Sequence, residues 1–194
     1  METKKYTKLL NKCVSTERGS LLQPVIQDEY AFACDGKILV RVPAELANGI
    51  PATDKTPNFE VLLNKEWGER QEINLKDYLP TEQQLEAMKV RDNRCPECLG
   101  SGKVECDLGH DHDCPKCEGF GYLKQAVPVS LLGINYNWTL LRIIFEAAME
   151  FFEGKASIAK TENLMHAVCG DITFVLATLH EQEKPAEIIL CEKK

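Results

Sequence analysis

Two copies of one short pattern constrain this chain more than any other feature. Cys95-Pro-Glu-Cys98-Leu-Gly100-Ser-Gly102 returns as Cys114-Pro-Lys-Cys117-Glu-Gly119-Phe-Gly121, with 15 residues between Cys98 and Cys114. Two residues between cysteines let both sulfurs converge on one ion, and two such pairs at this separation match a four-cysteine zinc site. The glycines let the backbone turn back and direct N–H groups at the sulfurs, which spreads thiolate charge. An iron–sulfur centre, a redox dithiol pair and two disulfides are the competing uses of such cysteines. Repetition of the whole pattern, glycines included, favours zinc. The expected cofactor is one structural Zn2+ held by Cys95, Cys98, Cys114 and Cys117. Four sulfur ligands leave no position for water or substrate.

Between the pairs lies Cys106-Asp-Leu-Gly-His110-Asp-His112-Asp113. Cys106, His110 and His112 are candidates for a secondary metal site, because thiol and imidazole both bind zinc. The competing reading, which short His/Asp runs favour, is a solvated loop tip. Residues 91–125 carry five basic and seven acidic side chains, a poor match to phosphate binding.

The repeated pattern resembles the cysteine-rich zinc-binding region of DnaJ-type co-chaperones, over residues 95–121. There, four repeats bind two ions and help to engage unfolded clients. Two repeats here imply one ion, and the resemblance implies a protein-interaction or chaperone-like adaptor role. The chain has no His-Pro-Asp tripeptide and no Gly/Phe-rich linker, so the resemblance is to the zinc region alone.

The flanks read as α+β. Tyr6, Leu9, Leu10, Cys13 and Val14 recur at helical spacing across 4–14, with Lys4, Lys5, Lys8 and Lys12 on the other side. Strand-like runs follow at 21–27, 30–34 and 37–42, the last two joined by the turn signal Asp35-Gly36 and ended by Pro43. The stretch 44–79 shows little periodicity and predicts one or two short elements. Thr81 with Gln84 predicts a capped helix to about residue 90. After a strand at 126–132, Asn137 caps a predicted helix over 138–152, which Gly154 stops. Further runs come at 156–160, 164–169, 172–179 and 186–191.

The halves echo one another. Tyr30-Ala-Phe-Ala-Cys-Asp-Gly-Lys-Ile and Leu164-Met-His-Ala-Val-Cys-Gly-Asp-Ile each form a strand, a turn after a cysteine and a second strand, behind a helix. Duplication of a helix–strand–strand–strand unit is one reading, each unit burying its sheet face against the other. Generic likeness of α+β segments is the alternative. The helix-plus-three-strands unit, with Ala-Cys-Asp-Gly-Lys-Ile-Leu-Val-Arg-Val at 33–42, also resembles one repeat of a DNA polymerase sliding clamp. That resemblance implies two repeats per domain, at 1–45 and 126–180, helices that face DNA, and closure of a ring from several domains. The Lys4, Lys5, Lys8 and Lys12 face would be the nucleic-acid face. The second helix answers Arg142 with Glu146, Glu150 and Glu153.

A net charge of −7 excludes a protein that coats nucleic acid non-specifically over its whole surface. No nucleotide-binding glycine loop, G-x-S-x-G or H-E-x-x-H is present, so no catalytic residue is expected. His166 reads as a satisfied imidazole, and Cys13, Cys34, Cys169 and Cys191 as small core residues. The run 138–152 is broken by charges and no export signal is read, so a cytoplasmic location without a membrane span is expected. The resulting expectation is a clamp-like duplicated α+β domain (1–90 and 126–194) carrying an inserted zinc module (91–125). It acts by binding, with a protein partner, DNA or further copies of the chain as partners.

Overall fold

The computed structural model describes residues 3–15, 22–51, 57–90, 97–98, 101, 103–105, 111–115, 127–161, 163–179 and 188–193. The chain divides into two compact units, Met1–Leu79 with Pro128–Lys194, and Pro80–Val127. No described helix is long and apolar enough to cross a membrane.

The larger unit is built on a seven-stranded sheet. Its strands are β1 (Val25–Gln27), β2 (Tyr30–Cys34), β3 (Ile38–Pro43), β4 (Gln71–Asn74), β9 (Lys155–Lys160), β10 (Leu164–Cys169) and β11 (Ile172–Ala177). The order is β1-β2-β3-β11-β10-β9-β4, every pairing antiparallel. Helix α1 (Thr3–Asn11) precedes the first three strands and α4 (Trp138–Phe152) precedes β9–β11. Each half therefore contributes a helix and three strands, and the third strands, β3 and β11, meet at the centre. That arrangement is a two-fold relation between the halves.

The hairpins agree residue for residue. Phe32 faces Arg41 in the first as His166 faces Val175 in the second, and Cys34 faces Leu39 as Val168 faces Thr173. This places Gly36 (φ 91°) and Gly170 (φ 52°) at the same turn position, where the left-handed backbone favours glycine. In the first turn Asp35 Oδ1 also accepts from the Lys37 and Ile38 N–H groups at 2.7 and 2.8 Å. The runs from Tyr30 and Leu164 therefore match position for position, and only their cysteines, Cys34 and Cys169, fall one position apart. Cys34 and Cys169 lie on opposite faces of the sheet, because side chains alternate along a strand. The two halves join edge to edge through β3 and β11 instead of burying sheet faces on each other.

Strand alternation assigns the two faces. Ala31, Ala33, Ile38, Val40, Val42, Met165, Ala167, Cys169, Ile172, Phe174 and Leu176 share one face, all buried. Against this face lie α4, through Leu141, Ile144, Phe145 and Ala148, and α1, through Tyr6, Leu9 and Leu10. The Tyr6 and Phe151 rings meet at 4.5 Å, tying the helices together. Asn137 Oδ1 accepts from Thr139 N–H at 3.1 Å as the predicted cap of α4. Its other end closes through Glu153 (φ 54°), with Gly154 N–H donating to the Ala148 carbonyl at 2.8 Å.

The opposite face carries Tyr30, Phe32, Leu39, Arg41, His166, Thr173 and Val175. Part of it is covered by the stretch 57–70, which holds α2 (Glu60–Leu63): Phe59, Leu63 and Trp67 pack with Phe32, Leu39 and Val175. The equivalent residues Phe32 and His166 each stack on an aromatic ring of this segment, on Phe59 at 5.2 Å and on Trp67 at 4.7 Å. The stretch 44–79 is thus more structured than its sequence suggests. Besides α2 it contains β4 and two 3-10 turns, Ala44–Leu46 and Leu75–Tyr78.

A three-stranded sheet, β12-β7-β8, completes the larger unit, with β7 (Pro128–Leu131) and β8 (Ile134–Asn137) antiparallel and β12 (Ile188–Leu190) parallel to β7. Sequence reading predicted a strand at β7 but not its partner β8.

In the smaller unit, α3 (Glu82–Val90) begins with the predicted capping box. Gln84 N–H donates to Thr81 Oγ1 at 3.2 Å and Thr81 N–H donates to Gln84 Oε1 at 2.9 Å. Strands β5 (Lys103–Glu105) and β6 (Asp111–Asp113) pair as an antiparallel hairpin. The segment read as a loop tip therefore ends in a strand.

Candidate functional sites

Three groups of residues carry chemistry. The first is the pair of cysteine repeats. Cys98 and Cys114, one from each repeat, are buried and pack together against Val104 of β5. The Ser101 N–H donates to the Cys98 carbonyl at 3.0 Å, closing a turn directly after the second cysteine of the first pair. One cysteine from each pair thus lies in a shared interior. Cys95 and Cys117 lie outside the described residues, and among the described residues no group of three or more metal-binding side chains assembles. Of the secondary-metal candidates, Cys106 and His110 also lie outside them. His112 stands exposed on β6, opposite Val104.

The second is the polar side of α1. Lys4, Lys5, Lys8 and Lys12 are all exposed, as their helical spacing predicts. They differ in partners. Lys5 Nζ lies 3.2 Å from Glu150 and Lys12 Nζ 2.7 Å from Glu146, while Arg142 also reaches Glu146 at 3.2 Å. Lys4 and Lys8 make no ion pair among the described residues, and with Thr3, Thr7, Asn48 and Gly49 they border an open cleft. The acidic residues of α4 therefore neutralise half of the lysine row. Such exposed pairs are individually worth little, about 0–1 kcal/mol, so the effect is on local potential more than on stability.

The third was not anticipated from the sequence. On the sheet face away from the helices, Tyr30, Arg41, Leu63, Arg70, His166 and Thr173 border a cavity of about 400 Å³. Arg41 stacks on the Tyr30 ring at 4.5 Å and donates from Nη2 to Thr173 Oγ1 at 3.2 Å, the residue opposite it across the β3–β11 seam. Its Nε is buried with no partner among the described residues. Arg70 Nη2 lies 3.1 Å from His166 Nδ1. Burial, followed by the charges of Arg70 and Arg41, pushes the His166 pKa down to about 4. His166 is thus neutral near pH 7, with Nδ1 as acceptor for Arg70. Arg41, His166 and Thr173 each interrupt an apolar run at the same strand parity, which was the available signal. Only the β3–β11 pairing shows that they meet.

The buried thiols match their reading as core residues at two positions. Burial raises the pKa of Cys13 and raises that of Cys169 to about 12, leaving both as inert thiols. Cys34 is half-buried and Cys191, beyond the end of β12, is exposed.

No protein-family model matches the chain, and no curated protein matches it. Among solved structures it is similar to the DNA polymerase III beta subunit of Thermotoga maritima (11% identity, TM-score 0.49, covering 95% of this chain and 64% of that one). It is also similar to the beta subunit of Pseudomonas aeruginosa (10%, TM-score 0.46, 93% and 65%). A third is the DnaN sliding clamp of Bartonella birtlesii (14%, TM-score 0.45, 95% and 65%). The chain spans less than two thirds of the length of each.

Proposed function

We propose that this chain is a non-catalytic binding protein with a clamp-like domain, an accessory factor in DNA replication or a related nucleic-acid transaction. The observation that carries the reading is the two-fold arrangement of the larger unit. Two helix-plus-three-strand halves meet through β3 and β11, and both helices lie on one face of the joined sheet. That face presents α1 with Lys4 and Lys8 unpaired among the described residues and the other two lysines balanced by α4. A polyanion contacting it would gain from displacing counterions at the free lysines.

The experiment is a duplex-DNA titration of the full chain at several salt concentrations. Saturable binding that steepens as salt falls is expected. Lys4→Glu with Lys8→Glu should abolish it, whereas Glu146→Gln with Glu150→Gln should strengthen it by freeing Lys12 and Lys5. Absence of binding at low salt in both the native chain and the Glu146/Glu150 variant would remove the DNA reading.

The zinc module belongs to the same proposal as a scaffold for a protein partner. One structural ion on Cys95, Cys98, Cys114 and Cys117 would cross-link the two repeats, and the shared burial of Cys98 and Cys114 supports it.

A further inference from the structure

The cavity on the sheet face away from the helices is electrostatically incomplete. Buried hydrogen-bonding groups are nearly always satisfied, yet Arg41 Nε is enclosed without an acceptor among the described residues. Neither Arg41 nor Arg70 makes an ion pair among the described residues, although both border the same cavity. Among the described residues Asp171 is the one carboxylate in the lining, against two guanidinium groups, so their sum is positive. The Thr173 hydroxyl oxygen accepts from Arg41, which leaves its hydrogen to donate. His166, with Nδ1 facing Arg70, carries its remaining ring hydrogen on Nε2.

These groups reach the cavity from separate parts of the chain: β3, β11, β10 and the segment before β4. Arg41 and Thr173 are paired across the seam, and Thr173 is paired in turn with Val168, two residues along the same face from His166. The cavity therefore offers several N–H and O–H donors, of which Arg41 Nε has no acceptor among the described residues. Leu63, Pro43 and Val168 add an apolar wall beside them. Its volume, about 400 Å³, is within the range of small-molecule pockets.

We propose that this cavity binds the oxyanion group of a small molecule, with Arg41, Arg70 and Thr173 as the donors that hold it. Phosphate esters and carboxylates share the required chemistry, since both accept forked donation from guanidinium groups. The site lies on the sheet face opposite α1 and α4, so its occupation does not depend on the DNA reading. An anion there would satisfy Arg41 Nε and offset the Arg70 and Arg41 charges that add to burial in keeping His166 neutral.

Calorimetric titration of the full chain with inorganic phosphate, phenyl phosphate and acetate, at constant ionic strength, tests the proposal. Saturable binding at millimolar concentration or tighter is expected for at least one of them. Strength of phenyl phosphate over acetate identifies the phosphate source, and the reverse identifies the carboxylate. Arg70→Gln, which alters an exposed side chain, should weaken binding roughly 10- to 100-fold, and Thr173→Val should weaken it by a smaller factor. The His166 ring, followed by NMR, should titrate at higher pH in the bound state. No saturation with any of the three anions, or equal affinity in the native chain and Arg70→Gln, would overturn the proposal.

Discussion

Replacing His166 with phenylalanine gives a direct test of the electrostatics of the sheet face. The equivalent position in the first half is already phenylalanine, Phe32, stacked on Phe59 as His166 stacks on Trp67. The His166→Phe chain therefore keeps an aromatic stack and loses the titrating group. In the native protein His166 is 5% exposed and its pKa falls from an ordinary 6.5 to about 4. A folded value below the unfolded one means that the unfolded chain takes up the proton first. The contribution is fully present above pH 6.5 and is lost as the pH falls towards 4. Complete protonation corresponds to about 3 kcal/mol, and about 2 kcal/mol of it is lost between pH 7.5 and pH 5. Urea unfolding followed by circular dichroism at those two pH values reads this directly. The native midpoint should fall by about 1 M more than that of His166→Phe. Subtracting the two chains cancels the other histidines and the carboxylates. Equal midpoint shifts in both would show that His166 is not held neutral by its surroundings.

Two further outcomes follow from the geometry. Alanine at Gly170 would place its Cβ inside the Phe152 ring at φ 52°, whereas at Gly133 (φ 79°) it meets nothing within 4 Å. Gly133→Ala should cost about 1 kcal/mol from the backbone alone, and Gly170→Ala a further 1–3 kcal/mol, roughly, in chemical denaturation; equal losses would contradict the packing of Phe152 on that turn. Elemental analysis of metal-replete protein should find one zinc per chain, abolished by Cys98→Ser with Cys114→Ser, while four cysteines reactive to a thiol reagent in that preparation would refute the site.

Local chemistry was the legible part of the fold. Asn137, the Thr81/Gln84 pair and Asp35-Gly36 act within a few residues of themselves, and each does in the structure what its side chain predicts. Strands β4, β6 and β8 are three or four residues long and are defined by partners elsewhere in the chain, so their own sequences carried little signal. The internal echo was visible at the register the structure has, since the runs from Tyr30 and Leu164 put Gly36 opposite Gly170. Glycine at the shared turn fixes that register through backbone geometry. The cavity was not legible, because it depends on pairing between distant strands. Arg41 and Thr173 are 132 positions apart and become neighbours only because the third strand of each half pairs with the other. The lysines of α1 were legible as an exposed face, whereas their pairing with Glu146 and Glu150 depends on how the two helices pack.

The two faces of the joined sheet handle cations in opposite ways, and salt separates their consequences. On the helix face, Lys5, Lys12 and Arg142 meet carboxylates in water, where pairs break and reform cheaply. A long polyanion approaching that face also meets a chain of net charge −7, so its binding depends on screening and on counterions released from DNA. On the other face, Arg41 is partly enclosed, and its unmatched Nε–H acts over hydrogen-bond distance, where screening has little room to operate. If the chain binds DNA as proposed, that affinity should fall steeply as salt rises, while small-anion affinity in the cavity should change far less once competition from the salt anion itself is held constant. If both affinities fell with the same steep slope, the cavity arginines would be acting as part of a diffuse surface potential and not as a built site.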